Sequence, residues 1–296
     1  EGQQTVQELP HAVATQGDLA ADGLTLTHME ACDGLLCAGD AGLLTGDAQK
    51  VKNMNTEIIK IQPGDGPVSE EDDAKLKAAG EILRRGGLVA FPTETVYGLG
   101  GDALNPTSSK RIYAAKGRPS DNPLIVHIYR FEDIYKITGD VPEEARKIAD
   151  AFWPGPLTMI LPKSDAVPYE TTGGLDTVAI RMPSHPAAQK LIEYSGGYIA
   201  APSANTSGKP SPTVAKYVVE DMMGRIDAII DGGEVGIGLE STIIDLTVSP
   251  PQILRPGYIT REKLSAVLGT VDTDATILRA DSGQAPKAPG MKYRHY

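Results

Sequence analysis

The stretch LVAFPTETVYGLGGDALNPTSSKRIYAAKGRPSDNPLIVHI, residues 88–128, decides the fold of this chain. Its two ends, LVAF and LIVHI, are apolar runs of the kind that form buried strands. Between them the sequence predicts a polar turn at Pro92, a loop flanked by glycines, a short helix and the basic tripeptide Lys116-Gly117-Arg118. Strands that alternate with helices over such short distances indicate an α/β domain.

The alternation continues on both sides of this stretch. A helix is predicted from Ser69, whose hydroxyl can cap it, to the pair Gly86-Gly87. Further helices are predicted to begin at Pro142, Pro186, Ser211-Pro212 and Thr260, and further strands are predicted at 157–161, 178–182, 198–201, 227–231, 242–246 and 253–255. Several connections are too short for a crossover helix, so the sheet is predicted to be mixed.

The flanking segments differ from this central domain, which the pattern predicts to span residues 54–270. Residues 1–53 hold eight acidic residues and two lysines and show no sustained period, which predicts a disordered or loosely attached acidic extension. Residues 271–296 contain Pro286, Pro289 and Gly290 and are predicted to form a linker. Cys32 and Cys37 are the only cysteines, so the central domain holds neither a disulfide framework nor a cysteine-ligated zinc site.

The composition argues against several classes of function. A formal net charge of −11 does not suit a surface that grips nucleic acid by neutralising phosphates. No apolar run approaches the roughly 18 to 20 residues of a membrane helix, and no basic segment followed by an apolar one marks a secretory leader. We therefore expect a cytoplasmic protein without membrane association. The chain also lacks the GxxxxGK[ST], GxGxxG, HExxH and CxxC motifs, so any nucleotide site is of another type.

Small polar and basic residues follow several predicted strands. Lys116 and Arg118 can close on phosphate oxygens, although basic residues at the end of a helix also complement its dipole. The segment 202–208, PSANTSG, lets the backbone approach a ligand closely, although it also fits a plain turn. The segment 92–101 suits a small polar ligand or a tight loop around a packed tyrosine. Together these segments indicate a phosphorylated ligand at the strand ends.

Four more residues stand out by their positions. His127 lies in an apolar strand, where a lone histidine is more often a core residue than a catalyst. Arg181 also lies in an apolar strand and must either reach solvent or meet an anion. Ser241 follows the glycine-rich loop 232–238, which permits close backbone approach to a ligand. Arg255 places a further cation at a strand end.

Taken together and in this order, the segments PTETVYGLG, KGR followed by NPL and VH, PSAN, EST and LRPG resemble the L-threonylcarbamoyl-AMP synthase family. The resemblance covers about residues 74–268. It implies a single YrdC-like domain, in which a twisted mixed β-sheet with flanking helices forms a concave ligand cleft. The tail resembles the linker of the longer members, and the small C-terminal domain of those members is expected to be missing.

The resemblance also implies a reaction. L-threonine and bicarbonate give an N-carboxylate, whose oxygen attacks the α-phosphate of ATP, so that pyrophosphate leaves and L-threonylcarbamoyl-AMP forms. Downstream threonylcarbamoyl-transferase proteins then modify tRNA, and direct tRNA binding by this chain is expected to be weak or absent. Mg²⁺ is expected to arrive with ATP, and no side chain is assigned as its ligand.

Positions that match the family's motifs receive roles from the resemblance. Lys116 and Arg118 are the expected catalytic residues. The residues expected to bind threonine are Thr93, Thr95, Tyr97, His127, Arg181, Ala201 and Ser241. The residues expected to bind ATP are Lys116, Arg118, Asn122, Thr177, Ala201, Ser203, Asn205, Ser211, Arg255 and Tyr296.

Two other functions stay open on the sequence alone. One is a carbamoyl-adenylate-forming enzyme built on the same domain, although such proteins usually carry zinc-binding segments that this chain lacks. The other is a non-catalytic RNA- or nucleotide-binding module. The net charge of −11 and the complete set of Lys116, Arg118, Ser203 and Asn205 both argue against the binding module.

Overall fold

A computed structural model describes residues 54–274 as a β-sheet with packed helices. Two segments lie outside the described residues: residues 1–53, which include both cysteines, and residues 275–296, the part of the predicted linker that ends at Tyr296. The strands are β1 Glu57–Lys60, β2 Val89–Phe91, β3 Gly98–Asp102, β4 Ile125–His127, β5 Leu157–Pro162, β6 Thr177–Arg181, β7 Ile199–Ala201, β8 Ala228–Asp231, β9 Thr242–Asp245, β10 Gln252–Arg255 and β11 Asp272–Thr273. The helices are α1 Glu70–Arg84, α2 Pro106–Lys116, α3 Ile134–Ile137, α4 Glu143–Phe152, α5 Tyr169–Thr172, α6 Pro186–Tyr194, α7 Ala215–Met222 and α8 Arg261–Leu268, and a 3₁₀ turn covers Phe131–Asp133.

The prediction of a loop after Pro92 is wrong for its second half, because residues Gly98–Asp102 form strand β3. This strand runs antiparallel to β2, with Val89 opposite Gly100 and Phe91 opposite Gly98. Glycine has low strand propensity, so the sequence GLGGD does not announce a strand. The packing nevertheless requires glycine, because a Cβ atom on Gly100 would lie 2.8 Å from Ile199 and 3.0 Å from Phe91.

The strands form one mixed sheet in the order β1-β8-β2-β3-β7-β4-β6-β5-β9-β10-β11. This confirms the predicted mixed α/β fold. Strands β4 and β6 are parallel and end side by side, with His127 opposite Arg181. Strand β7 runs antiparallel to β4 and places Ala201 opposite Ile125. The sheet therefore places a histidine and an arginine side by side at the ends of β4 and β6, while the segment that follows Ala201 begins beside Ile125, at the start of β4.

Alternating side chains of the sheet enter different apolar clusters. Val89 and Phe91 of β2 pack with helices α1 and α6 on one face, while Ala90 enters the larger cluster on the other face. A third, small cluster consists only of strand residues. Its members are Ile125, Ile160, Ala179, Ile243 and Leu254. Ile125 faces the same side of the sheet as Ala201, beside the α1 and α6 layer, and no helical residue of the described part of the chain belongs to this cluster.

Helix caps confirm some predicted boundaries and correct others. Ser69 and Thr260 cap α1 and α8 with their hydroxyls, as predicted. The prediction that Ser211-Pro212 opens a helix is wrong, because α7 begins only at Ala215. Both residues have other contacts: the hydroxyl of Ser211 donates to Glu240, and the carbonyl of Pro212 accepts from Tyr97 N.

The end of the domain also lies later than predicted. Val271 is buried, and β11 pairs with β10, so the first residues of the predicted linker belong to the sheet. Strand β1 and the short helices α3 and α5 were not predicted, since each spans only four residues. None of the helices between residues 54 and 274 has the length and apolar character needed to cross a membrane.

Candidate functional site

A pocket opens where strands β4, β6 and β7 meet the turn after β2 and the residues around β9 and β10. It encloses about 500 Å³, including the part open to solvent. Nine residues predicted to bind ligands line it: Thr93, Thr95, Arg118, His127, Arg181, Ala201, Ser203, Ser241 and Arg255. Val96, Ile125, Pro202 and Glu240 complete the lining in the described part of the chain. Segments far apart in sequence therefore form one site.

Arg181 is a buried cation of this pocket, and of the two predicted alternatives, reaching solvent or meeting an anion, the structure shows the second. Its Nη2 donates to Glu94 Oε1 at 2.7 Å, and both side chains are less than a tenth exposed. The Nε group also lies 3.4 Å from the carbonyl of Gly155. A buried guanidinium needs such partners because its desolvation is costly.

Arg255 forms a second buried ion pair on the other side of the pocket. Its Nη1 lies 2.6 Å from Glu240 Oε2, and its other nitrogens donate to the carbonyl and the hydroxyl of Ser241. The hydroxyl of Ser211 donates to Glu240 Oε1 at 2.7 Å. Thr158, which is fully buried, shares a hydrogen bond of 2.8 Å with Ser241. Ser211 thus supports the pocket through Glu240, although it does not line the pocket itself.

Lys116 lies behind the pocket wall and does not line the pocket. Its ammonium group donates to the carbonyl oxygens of Ser203 and Asn205, and its side chain is only 1% exposed. Burial, together with the positive charge of Arg118, lowers the pKa of Lys116 well below its usual value. The placement shows that Lys116 holds the segment that carries Ser203, while its direct contact with phosphate remains a prediction.

Arg118, two residues later, lies at the pocket surface and is half-buried. Its guanidinium donates to the carbonyl oxygens of Asn122 and Pro123 at 3.2 and 3.1 Å. Gly117 takes a left-handed conformation with a φ of 61°, which ends α2 and turns the chain between the two cations. As a result, Lys116 lies within the pocket wall, whereas Arg118 lines the pocket.

His127 is a neutral group at the base of the pocket. Burial and the nearby charge of Arg181 lower the pKa of His127 to about 3. Its Nδ1 lies 3.1 Å from the carbonyl of Ile125, and its ring meets the ring of Phe91 edge to face at 6.2 Å. A neutral imidazole can donate or accept one hydrogen bond from a ligand without adding charge.

The other described residues that were predicted to bind ligands do not line the pocket. Tyr97 is buried, and its hydroxyl donates to the carbonyl of Gly233 at 2.6 Å, so it fixes the glycine-rich loop. Asn205 Oδ1 accepts from the hydroxyl of Ser203 at 2.5 Å. Asn122 is buried with no partner on its Oδ1 among the described residues. Thr177 begins β6, whereas Arg181 ends it, and Tyr296 lies outside the described residues.

Glu94 and Glu240 are the two charged residues of the described site to which the sequence assigned no role. Each stands beside a hydroxyl residue in a segment that was already singled out, Glu94 in PTETVYGLG and Glu240 in EST. One signal could have pointed to these carboxylates. Arg181 and Arg255 lie in apolar strands, and a charged group inside a protein needs a counter-charge. Sequence alone does not say which carboxylate meets which arginine.

The pocket is built to receive anions. Cations and hydroxyl groups can hold phosphate and carboxylate oxygens, with arginine as a planar, bidentate donor. Among residues 54–274, no three or more His, Cys, Asp or Glu side chains are placed to hold a metal ion.

Comparison with known proteins places this geometry in a family. A model of the Sua5, YciO and YrdC family, described as "Telomere recombination", matches residues 81–257. A second model, described as the C-terminal domain of threonylcarbamoyl-AMP synthase, matches residues 259–296. The segment predicted to be a linker thus falls within this second match.

Curated relatives and solved structures agree with the family models. The chain is 56% identical over 225 residues to threonylcarbamoyl-AMP synthase of Pyrococcus abyssi, covering 76% of this chain and 66% of that protein. It is 53% identical over 226 residues to the Bacillus subtilis protein of the same name, covering 76% and 65%. The crystal structure of P. abyssi Sua5 complexed with L-threonine shares 54% identity with a TM-score of 0.77, covering 81% of this chain and 69% of that one. The chain spans about two thirds of the length of these curated relatives.

Proposed function

The chain belongs to the threonylcarbamoyl-AMP synthase family of Sua5, YciO and YrdC proteins, and we propose that it makes L-threonylcarbamoyl-AMP from L-threonine, bicarbonate and ATP. The observation that carries the proposal is the pocket, which joins Arg118, Arg181 and Arg255 with hydroxyl groups and a neutral histidine. One relative of known structure, Sua5 of Pyrococcus abyssi, was solved with L-threonine. An amino acid and a nucleotide both present anions that such a pocket can bind.

The proposed reaction has two steps. Threonine, as a zwitterion, and bicarbonate form the N-carboxylate and release one water and one proton. An oxygen of the N-carboxylate then attacks the α-phosphorus of ATP, and the bond to pyrophosphate breaks. Both steps require the reactants to be held in position and negative charge to be neutralised, which arginine side chains and hydroxyls can provide.

The threonine side of the pocket is proposed to contain Arg181 and His127. Arg181 would bind the carboxylate of threonine, since it still has donors beyond those given to Glu94 and Gly155. His127, Thr95 and Ser241 would accept or donate hydrogen bonds to the remaining polar atoms, and the Ala201 backbone would contact both ligands. Thr93 and Tyr97 would shape this side, since the hydroxyl of Thr93 holds the turn through a 2.7 Å bond to the carbonyl of Val96.

The nucleotide side is proposed to contain Arg118, Arg255 and Ser203. Arg118 would be the catalytic cation at the α-phosphate, and Lys116 would support it by holding the wall that carries Ser203. Asn122, Thr177, Asn205 and Ser211 would bind or support the nucleotide, and Tyr296 is proposed to close over it. Mg²⁺ would enter as part of the substrate MgATP and neutralise phosphate charge.

The proposal extends to the place of this reaction in the cell. Downstream threonylcarbamoyl-transferase proteins would consume the product to modify tRNA in the cytoplasm. With a net charge of −11, this chain is expected to bind tRNA weakly or not at all. The alternatives are the carbamoyl-adenylate-forming enzyme and the non-catalytic binding module, and no feature of the pocket favours either one.

Pyrophosphate release by the full 296-residue chain tests this proposal. The assay supplies MgATP and bicarbonate with threonine, with serine, or with neither amino acid. We expect release that depends on both threonine and bicarbonate. Release that requires an added carbamoyl donor, such as carbamoyl phosphate, in place of threonine and bicarbonate would support the carbamoyl enzyme, and ATP binding without release in any arm would support the binding module.

A further inference from the structure

Glu94 lies in the turn after β2 but, unlike its two neighbours, does not line the pocket. These neighbours, Thr93 and Thr95, both contribute to the pocket lining. The side chain of Glu94 is buried, and its carbonyl accepts from Ile237 N at 2.9 Å, so the glycine-rich loop fastens it from outside. A ligand in the pocket would therefore meet Glu94 only through another residue.

That other residue is Arg181. Glu94 Oε1 accepts from Arg181 Nη2 at 2.7 Å, while Glu94 Oε2 is buried and has no hydrogen-bond partner among the described residues. A buried carboxylate with one unpaired oxygen is costly, so a purely structural position would be expected to satisfy both oxygens. The whole charge of Glu94 is instead directed at one guanidinium.

His185 does not compete with Arg181 for this charge. It is buried near the two carboxylates of Glu94 and Asp65, with Asp65 Oδ1 3.9 Å from its Nε2. Burial lowers the pKa of His185 despite the opposing effect of Asp65 and Glu94, so the ring is neutral near pH 7. Arg181 is therefore the cation that neutralises Glu94.

We propose that Glu94 is a positioning residue for amino-acid recognition, which fixes the Arg181 guanidinium so that its remaining N–H groups face the carboxylate of the substrate. Two contacts hold the guanidinium of Arg181: Nη2 donates to Glu94, and Nε lies near the carbonyl of Gly155. Two contacts set the plane of a guanidinium, and a bidentate partner is sensitive to that plane. The proposal rests on the proposed function, in which Arg181 binds the threonine carboxylate.

Two variants of Glu94 test the proposal. Glu94→Asp keeps the charge but is one methylene shorter, and Glu94→Gln keeps the shape but removes the charge. The control is Glu143→Asp, which shortens the carboxylate of an ion pair with Lys147 that does not line the pocket. Threonine affinity is measured by calorimetry without ATP, KM values for threonine and ATP are measured from pyrophosphate release, and thermal unfolding of each variant is recorded.

We expect Glu94→Asp to weaken threonine binding about tenfold, while KM for ATP changes less than about twofold and the unfolding temperature stays near that of the wild type. Glu94→Gln should weaken threonine binding further. In an Arg181→Lys background, Glu94→Asp should add little, since a lysine has no plane to fix. Glu143→Asp should leave threonine affinity unchanged.

Several results would overturn the proposal. Unchanged threonine affinity in Glu94→Asp, or equal losses for threonine and ATP, would make Glu94 a structural residue only. If the wild type binds threonine but releases no pyrophosphate, the proposed function fails, while the binding data still decide the role of Glu94. If the wild type binds no threonine, both proposals fail together.

Discussion

Arg181 and Lys116 are both buried cations near the same pocket, but their surroundings differ. Arg181 lies in the pocket lining and is neutralised by the carboxylate of Glu94 at 2.7 Å. Lys116 lies behind the lining and is held by carbonyl oxygens of Ser203 and Asn205. Carbonyl dipoles do not cancel a charge, and burial accordingly lowers the pKa of Lys116 well below its usual value. A buried cation beside a pocket can therefore build the wall without facing the ligand.

Replacement of Lys116 by methionine should have the largest effect on stability. Met has a similar length but no donors, so buried carbonyl oxygens in the 203–205 segment lose their partners. Each unpaired buried group costs about 1 to 3 kcal/mol, and we expect the free energy of unfolding to fall by about 3 kcal/mol. Denaturant unfolding measures the change, and a variant as stable as the wild type would show that Lys116 does not hold the wall.

Replacement of Arg118 by alanine should affect turnover instead. Its guanidinium lies at the pocket surface, and loss of one group that stabilises charge in a transition state typically costs about 100-fold in rate. Its contacts to Asn122 and Pro123 are half-exposed, so the free energy of unfolding should fall by only about 1 kcal/mol. Pyrophosphate release and denaturant unfolding are compared on the same sample. Near-normal turnover in Arg118→Ala would contradict the proposed catalytic role of Arg118.

His127 predicts how the stability of the pocket responds to acid. Its pKa is about 3 in the folded chain and about 6.5 when unfolded, so the unfolded chain binds more protons below pH 6.5. This contribution to stability is complete above pH 6.5 and is lost as the pH falls toward 3. Between pH 7 and pH 5 the loss should be about 2 kcal/mol.

The control for this pH effect is His127→Asn, which cannot titrate in that range. Denaturant unfolding at pH 7 and pH 5 should show about 2 kcal/mol less acid destabilisation in this variant than in the wild type. Equal acid sensitivity in both proteins would mean that His127 is not the neutral, buried group described here.

We expect substitutions in the two arginine–glutamate pairs to raise KM for different substrates. Arg255→Lys loses the planar contacts to Glu240 and Ser241, and we expect KM for ATP to rise about tenfold with a smaller change for threonine. Arg181→Lys should give the reverse pattern. Steady-state pyrophosphate release at varied ATP and at varied threonine measures both, and the same pattern in the two variants would mean that the pocket has no distinct sides.

Much of this architecture could be predicted from the sequence, because apolar runs and helix caps are local signals. The strands at 157–161 and 178–182 and the caps at Ser69 and Thr260 are examples. Strand β3 was missed because its glycines are required by the neighbouring Ile199 and Phe91, which no local propensity reveals. The family resemblance also placed Arg181 among the ligand-binding residues, and the apolar strand around it predicted that it either reaches solvent or meets an anion.

The partners of the buried charges could not be predicted, because they come from distant segments. Glu94 reaches Arg181 across 87 residues, and Lys116 reaches Ser203 across 87 residues as well. The motif made Lys116 and Arg118 look equivalent, whereas the left-handed turn at Gly117 sends them to different sides of the wall. Only the folded sheet shows which cation lines the pocket.

Product identification tests the proposed activity most directly. The full chain is incubated with MgATP, isotopically labelled bicarbonate and threonine, and the nucleotides are separated and analysed by mass spectrometry. We predict an adenylate whose mass includes threonine and the labelled carbon, and whose formation matches the pyrophosphate released. An adenylate without threonine, or pyrophosphate release without any threonine-containing adenylate, would contradict the account.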